Sequence, residues 1–221
     1  MKFTVAPVVV LSALSIVNAF QSNFLGGRFV PREPSKQHRT QSSRTMLSMK
    51  NIAVFGASGL TGAEVTYQAV KEGDTVIGLT RNPSNLKVPE GSGGADGGSL
   101  LEAPNLTMIA GDVTKMEDVK KVFENDVDGV VIALGGKTSD VGETMLTDGT
   151  NNVIKAMKEN KVTRLAVVTS IGAGDSEDQA PFFFKVLMMT AMKKIFLDKN
   201  AQEAAVVKSG LDYCIVRPGG L

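Results

Sequence analysis

Asn51-Ile-Ala-Val-Phe-Gly56-Ala-Ser-Gly59-Leu-Thr-Gly62 is an apolar run that ends on a glycine, with two more glycines at three-residue spacing. A segment of helical character, Thr61 to Glu72, overlaps its end. Strand, glycine turn and helix in that order form a seat for a dinucleotide pyrophosphate. Gly56 lets the chain turn sharply off the strand, and Gly59 removes a side chain that would block a phosphate. Gly62 lets the helix pack close to the strand. The helix N-terminus then points its free N–H groups at the anion, so Leu60, Thr61 and Gly62 join the candidate cofactor-binding residues. The competing reading is an ordinary glycine turn between a strand and a helix.

Outward from this motif, short β-branched runs alternate with longer amphipathic segments. The predicted strands are Asn51–Gly56, Thr75–Leu79, Leu106–Ile109, Gly129–Leu134, Arg164–Thr169 and Tyr213–Val216. The predicted helices are Thr61–Glu72, Lys115–Glu124, Glu143–Asn160 and a long stretch from about Phe183 to Lys208. Nearly continuous apolar strands separated by helices predict a doubly wound α/β parallel sheet covered on both faces. Thr114-Lys-Met-Glu117 has the form of a capping box, and Gly73 and Gly210 stand where helices should stop. Gly91-Ser-Gly-Gly-Ala-Asp-Gly-Gly98 follows no predicted strand and leads into no helix. It reads as a flexible connector and not as a second phosphate loop.

The first 48 residues differ from the rest. Phe3 to Val17 is an apolar run after Lys2, ending at Val17-Asn18-Ala19, a small-residue cleavage pattern. Residues 1–19 therefore read as a signal peptide, and 20–48, rich in Ser, Arg and Gln with Glu33 as the one acid, as a transit-like segment. Together they resemble the bipartite presequence of plastids derived from secondary endosymbiosis. The alternatives are a secreted protein with a spacer, or Met49 as the true first residue. The remainder, 49–221, reads as one domain. Six of the 24 Lys/Arg and one of the 23 Asp/Glu lie in residues 1–48, leaving 18 basic against 22 acidic residues. That balance carries no nucleic-acid footprint. His38, the one histidine, falls in the presequence, so histidine-dependent hydrolysis is excluded. Cys214 is the one cysteine, which excludes internal disulfides and clustered thiolate metal sites; no metal ligands are expected.

The second predicted strand ends Thr80-Arg81-Asn82-Pro83, and Arg81 stands 19 positions after Gly62. An acid near this point would bind the ribose 2′-hydroxyl of NAD. A guanidinium instead suits the 2′-phosphate of NADP (as NADPH), which a carboxylate would repel. Ser58 could add a hydroxyl to the same phosphate. The plainer reading of Arg81 is a solvated turn residue.

Gly56-Ala-Ser-Gly-Leu-Thr-Gly62, Leu79-Thr-Arg-Asn-Pro83, Gly111-Asp-Val113, Val167-Val-Thr-Ser-Ile-Gly172 and Ser209-Gly-Leu-Asp-Tyr-Cys-Ile-Val-Arg-Pro-Gly-Gly-Leu221 occur in this order. Together they resemble the atypical short-chain dehydrogenase/reductases, in particular the NmrA-like and flavin/biliverdin-reductase-like branch with its NAD(P)-binding Rossmann domain. The resemblance covers residues 50 to 221. It implies contacts from Asp112 and Val113 to the adenine, and from Ala133, Leu134 and Gly135 to the adenosine ribose. It also implies that Thr169, Ser170, Pro218 and Gly219 lie near the nicotinamide. Relatives of this kind continue with another strand and helix, so the resemblance implies either that the C-terminal part is truncated at Leu221 or that the protein ends early there.

The departures bear on mechanism. Typical members use a Tyr-x-x-x-Lys pair; Lys199 resembles the lysine, but Ile195 stands four positions before it. Tyr67 and Tyr213 belong to the first helix and the last strand and are no substitutes. Lys199 is either a nicotinamide-ribose contact or a partner of Glu203 at i, i+4 spacing. Without the tyrosine, alcohol–ketone interconversion lacks its general acid. Hydride transfer to a conjugated acceptor needs less help, since a flavin, quinone or linear tetrapyrrole takes its proton from water or from a hydroxyl such as Ser170. The sequence thus predicts an NADPH-dependent reductase of a small planar acceptor, or else a non-catalytic NADP(H)-binding redox sensor or scaffold of the plastid.

Pro181 to Phe196 is rich in Phe and Met, with Phe184, Met188, Ala191 and Ile195 on one helical stripe. Phe183, Leu187 and Met192 widen the stripe. It reads as a core-facing helix, a hydrophobic wall of the acceptor site, or a contact for a protein partner or membrane surface helped by Lys185, Lys193 and Lys194.

Overall fold

Val, Ile and Leu fill both faces of the central runs, and a strand of that kind needs cover on both sides. The computed structural model describes residues 50–135, 143–179, 185–186, 189–190 and 192–219. In chain order they form β1 (Asn51–Phe55), α1 (Leu60–Lys71), β2 (Thr75–Thr80), β3 (Leu106–Ala110), α2 (Met116–Val122), β4 (Gly129–Ile132), α3 (Met145–Glu159), β5 (Arg164–Val168), α4 (Lys193–Val207) and β6 (Asp212–Val216). The strands make one parallel sheet in the order β3-β2-β1-β4-β5-β6. Strand order reverses between β1 and β4, and a crevice opens beyond the carboxyl ends of the strands at such a point.

Alternate residues of each strand serve opposite faces. Ala53, Phe55, Ile132, Leu165 and Val167 pack with Val119 of α2, Val153 and Met157 of α3 and Val206 of α4. Ile52, Val54, Val131, Ala166 and Val168 form the other cluster, joined by Val65 and Ala69 of α1. The register sets Phe55 beside Leu79 on one side and Ile132 on the other, so β1, β2 and β4 end level. The three segments that leave these ends are thereby brought together.

Gly73 stops α1 as expected. It takes φ +90°, its N–H donates to Val70 O at 3.1 Å, and Asp74 N–H donates to Ala69 O at 3.0 Å, the paired bonds of a Schellman end. Gly210 also has positive φ, two residues beyond the Lys208 that closes α4.

Three expectations need correction. The capping box does not form: α2 starts after Lys115 without a side-chain cap, and the Thr114 hydroxyl donates to Asp112 Oδ1 instead. Residues 91–98 are folded into a tied loop. Val88 and Ser99 are bridged by a 2.8 Å bond, Lys87 pairs antiparallel with Leu100, and Leu86 and Val88 are buried. The long final helix is interrupted, because Thr190 and Met192 are turn residues and α4 begins at Lys193. The presequence readings for 1–19 and 20–48 lie outside the described residues, as do Phe183, Phe184, Leu187, Met188 and Ala191 of the stripe. Phe196 is buried, whereas Met192 and Ile195 are half-buried. Among the described residues no helix is long and apolar enough to cross a membrane.

Candidate functional site

The glycine motif closes the lower end of the crevice. Gly56 has φ +83°, and a Cβ there would stand 2.5 Å from Ala133 O. A Cβ at Gly62 would stand 2.0 Å from Gly56 O. The fold itself therefore demands both glycines. Gly59 is different: its backbone is extended, and a Cβ would meet only Gly56 O, at 3.3 Å, and Ala133 O, at 4.0 Å. What its bare backbone keeps clear is the space before α1. That helix has no side-chain cap and no acid in its first turn, so its positive end is left for an external anion. Thr61 is buried behind this end, and Leu60 is 80% exposed at the mouth.

One side of the crevice, where the adenosine contacts were expected, lies at the ends of β2, β3 and β4. Ser58 Oγ is 2.5 Å from Thr80 Oγ1, the residue before the exposed Arg81. The serine hydroxyl, expected on the 2′-phosphate, is thus shared with Thr80. Asp112 accepts from Thr114 N–H at 2.9 Å and Thr114 Oγ1 at 2.8 Å. These bonds hold its carboxyl below the usual range, with smaller help from Lys115 and Arg81. The Val113 side chain is buried in the core and presses on Gly149, where a Cβ would lie 2.7 Å from Val113 Cγ1. Ala133 is buried and donates its N–H to Phe55 O at 2.9 Å, Leu134 is half-buried, and Gly135 is exposed.

At the other side stand the ends of β5 and β6. Thr169 is fully buried; its N–H donates to Val216 O at 2.9 Å, and its hydroxyl donates to Glu203 Oε1 at 2.6 Å. Lys199 Nζ donates to Thr169 O at 3.2 Å, and burial pushes the ammonium pKa down. The i, i+4 pairing with Glu203 gives way to another: Glu203 takes Arg217 Nε at 3.0 Å and Nη2 at 2.6 Å. Arg217 Nη1 reaches Asp175 Oδ1 at 2.6 Å. Ser170 Oγ donates to Ile171 O at 3.2 Å, and Ile171 N–H donates to Pro218 O at 3.1 Å. Pro218 is buried and Gly219 exposed.

The fold gathers Ser58 and Arg81 at one end, and Thr169, Ser170, Lys199 and Pro218 at the other. Sequence reasoning missed the Glu203–Arg217 pair. The one signal for it was the arginine directly before Pro218, which says nothing about a partner on α4. Among the described residues no cluster of His, Cys, Asp and Glu could hold a metal ion.

A family model described as NAD(P)H-binding matches residues 56–221. An uncharacterized chloroplastic protein of Arabidopsis thaliana is 29% identical over 181 residues, covering 78% of this chain and 59% of that protein. Protein TIC 62, chloroplastic, of Pisum sativum is 25% identical, covering 77% of this chain and 32% of that protein. The chain thus spans well under two thirds of the length of these two relatives. Among solved structures, a Rossmann-fold NAD(P)-binding family protein from Shigella flexneri superposes with a TM-score of 0.52 at 26% identity, covering 77% of this chain and 67% of that one. ChuY, an anaerobillin reductase from Escherichia coli O157:H7, gives a TM-score of 0.56 at 23% identity and covers 77% and 73%. At that identity the second likeness shows the fold alone.

Proposed function

The chain belongs to the NAD(P)H-binding family, and from that premise we propose that it is an NADPH-dependent reductase of a conjugated planar acceptor: a flavin, quinone or linear tetrapyrrole. The observation that carries the reading is the end of β2, where Arg81 follows the Ser58–Thr80 hydroxyl pair in place of an acid. NADPH, when bound, supplies the hydride. The uncapped N-terminus of α1 holds the pyrophosphate, with Gly59 keeping the approach open. Arg81 neutralises the 2′-phosphate and Asp112 and Val113 border the adenine. Ala133, Leu134 and Gly135 border the ribose. Thr169, Ser170, Lys199, Pro218 and Gly219 border the nicotinamide. The Ser170 hydroxyl, half-buried at the end of β5, is the proton donor for the reduced acceptor in this reading.

One observation favours a second reading, a non-catalytic NADP(H)-binding sensor or scaffold. Ile195 stands where the tyrosine of typical members would be, and Ser170 already spends its proton on Ile171 O. The chloroplastic relatives and the composition of residues 1–48 support a plastid location. Fusing residues 1–48 to a fluorescent protein tests it; retention in the secretory path would overturn it.

Following NADPH oxidation against a panel of flavins, quinones and linear tetrapyrroles, with binding read by NADPH fluorescence, separates the two functions. Turnover of one acceptor class establishes the reductase. Tight binding with no turnover supports the sensor reading, and absence of binding overturns both.

A further inference from the structure

We propose that Glu203 is a positioning residue: one buried carboxylate on α4 locks the loop after β5 to the loop after β6 and so sets the nicotinamide end of the site. The functional meaning rests on the NADPH reading above, whereas the lock is a property of the chain itself.

Glu203 is 3% exposed, and a carboxylate so placed must be compensated on both oxygens. Oε1 accepts from Thr169 Oγ1 at the end of β5 and from Arg217 Nε at the end of β6. Oε2 accepts from Arg217 Nη2 at 2.6 Å. The remaining arm of the guanidinium crosses to Asp175, on the same loop that began at Thr169. Gly174 lies directly over the pair with φ +56°, where a Cβ would be 2.1 Å from Glu203 Oε2. No side chain fits between that loop and the carboxylate. A second tie joins the loops through Ile171 N–H and Pro218 O.

Stability alone gives no reason for this arrangement. A buried ion pair is often replaceable by apolar residues at little cost, and the same helix uses Phe196 and Val206 as core residues. What the charge adds is direction. A forked guanidinium and a carboxylate fix two loops in angle as well as distance, and Thr169 is the residue whose carbonyl holds Lys199 Nζ. Moving Thr169 moves the lysine with it.

The test uses Glu203→Gln, which keeps the shape and removes the charge, with two ligands: NADPH, and 2′,5′-ADP, which lacks the nicotinamide half. The expected result is an NADPH Kd raised about tenfold to a hundredfold with 2′,5′-ADP binding within about twofold of the parent. In the ligand-free protein, hydrogen exchange should quicken at Thr169, Ile171 and Gly174 and stay unchanged at Ala63. Arg217→Ala should give the same pattern, and the double variant should be no worse than either single one. Equal losses for both ligands with faster exchange everywhere would overturn the proposal in favour of a general structural role. No change in binding or exchange would overturn it outright. Should Glu203→Gln not fold, Arg217→Lys, which keeps charge and loses the fork, decides by the same measurements. If the parent protein binds neither ligand, the NADPH reading fails, and the exchange comparison still decides the lock.

Discussion

A single methyl added at Gly62 would stand 2.0 Å from the carbonyl oxygen of Gly56, and one at Gly59 would meet the same oxygen at 3.3 Å. The two substitutions therefore separate folding from binding. Gly62→Ala should cost about 1–3 kcal/mol by overpacking and lose NADPH as well. Gly59→Ala should keep most of the stability and still weaken NADPH, because its methyl occupies the space before α1. Thermal melts and fluorescence titrations check both, and a Gly59→Ala variant that binds normally would remove the phosphate from this position. Arg81→Ala should weaken NADPH about tenfold to a hundredfold, the worth of a charge-assisted hydrogen bond, and NADH by much less. Equal losses would sink the preference for NADP. Lys199 adds a pH-dependent case. Its folded pKa is lowered from 10.5 by burial, so holding the cation costs stability below the folded value, and the cost fades as pH rises through it. Lys199→Met should keep or raise the melting temperature near neutral pH and flatten its alkaline rise, while NADPH turnover falls. These residues were readable from the sequence because each acts where its local motif puts it. Glu203 was not, since its partners stand 34 and 14 positions away and meet it only in the folded chain.

Helix α4 carries four buried or half-buried polar positions, Asp198, Lys199, Gln202 and Glu203, on successive turns facing its neighbours. Each reaches another element. Asp198 accepts from Leu146 N–H at 2.8 Å and Thr147 N–H at 3.0 Å, so it caps the first turn of α3 from 51 to 52 residues away. Gln202 donates to Thr150 of the same helix at 2.9 Å. Since α3 begins without a cap of its own, Asp198→Ala should cost about 1–3 kcal/mol, read as a lower urea midpoint, and Asp198→Asn less. An unchanged midpoint would mean that water replaces the cap. This borrowed cap also explains what the sequence concealed. Strands were legible to within two residues, because apolar runs bounded by Gly, Pro and Asp report burial directly. Helix starts were less so, because a cap can come from another element or, as at Thr114, a hydroxyl can bond to its own turn.

The reversal of strand order divides the crevice between two halves of the sheet, β3-β2-β1 with α1 and β4-β5-β6 with α3 and α4. That division was legible once six parallel strands were counted, since right-handed crossovers leave few ways to arrange them. The tie between the halves was not, because the 2.9 Å bond from Ala133, just past the end of β4, to Phe55 of β1 is made where the strands end. A ligand spanning both halves should stabilise them as one unit. At a hundred times its Kd, NADPH should add about 2.7 kcal/mol, or roughly 5–10 °C in melting temperature for a domain of this size. 2′,5′-ADP at a hundred times its own Kd should shift the melt equally, because mass action sees only occupancy. Hydrogen exchange should tell them apart. Both ligands should slow exchange at Ala63 on α1, but only NADPH should also slow Thr169 and Ile171, whose N–H groups bond to β6 and the loop beyond it. If 2′,5′-ADP protects those two amides as well as NADPH does, the nicotinamide does not lie between the ends of β5 and β6. The acceptor would then have to be sought elsewhere on the sheet.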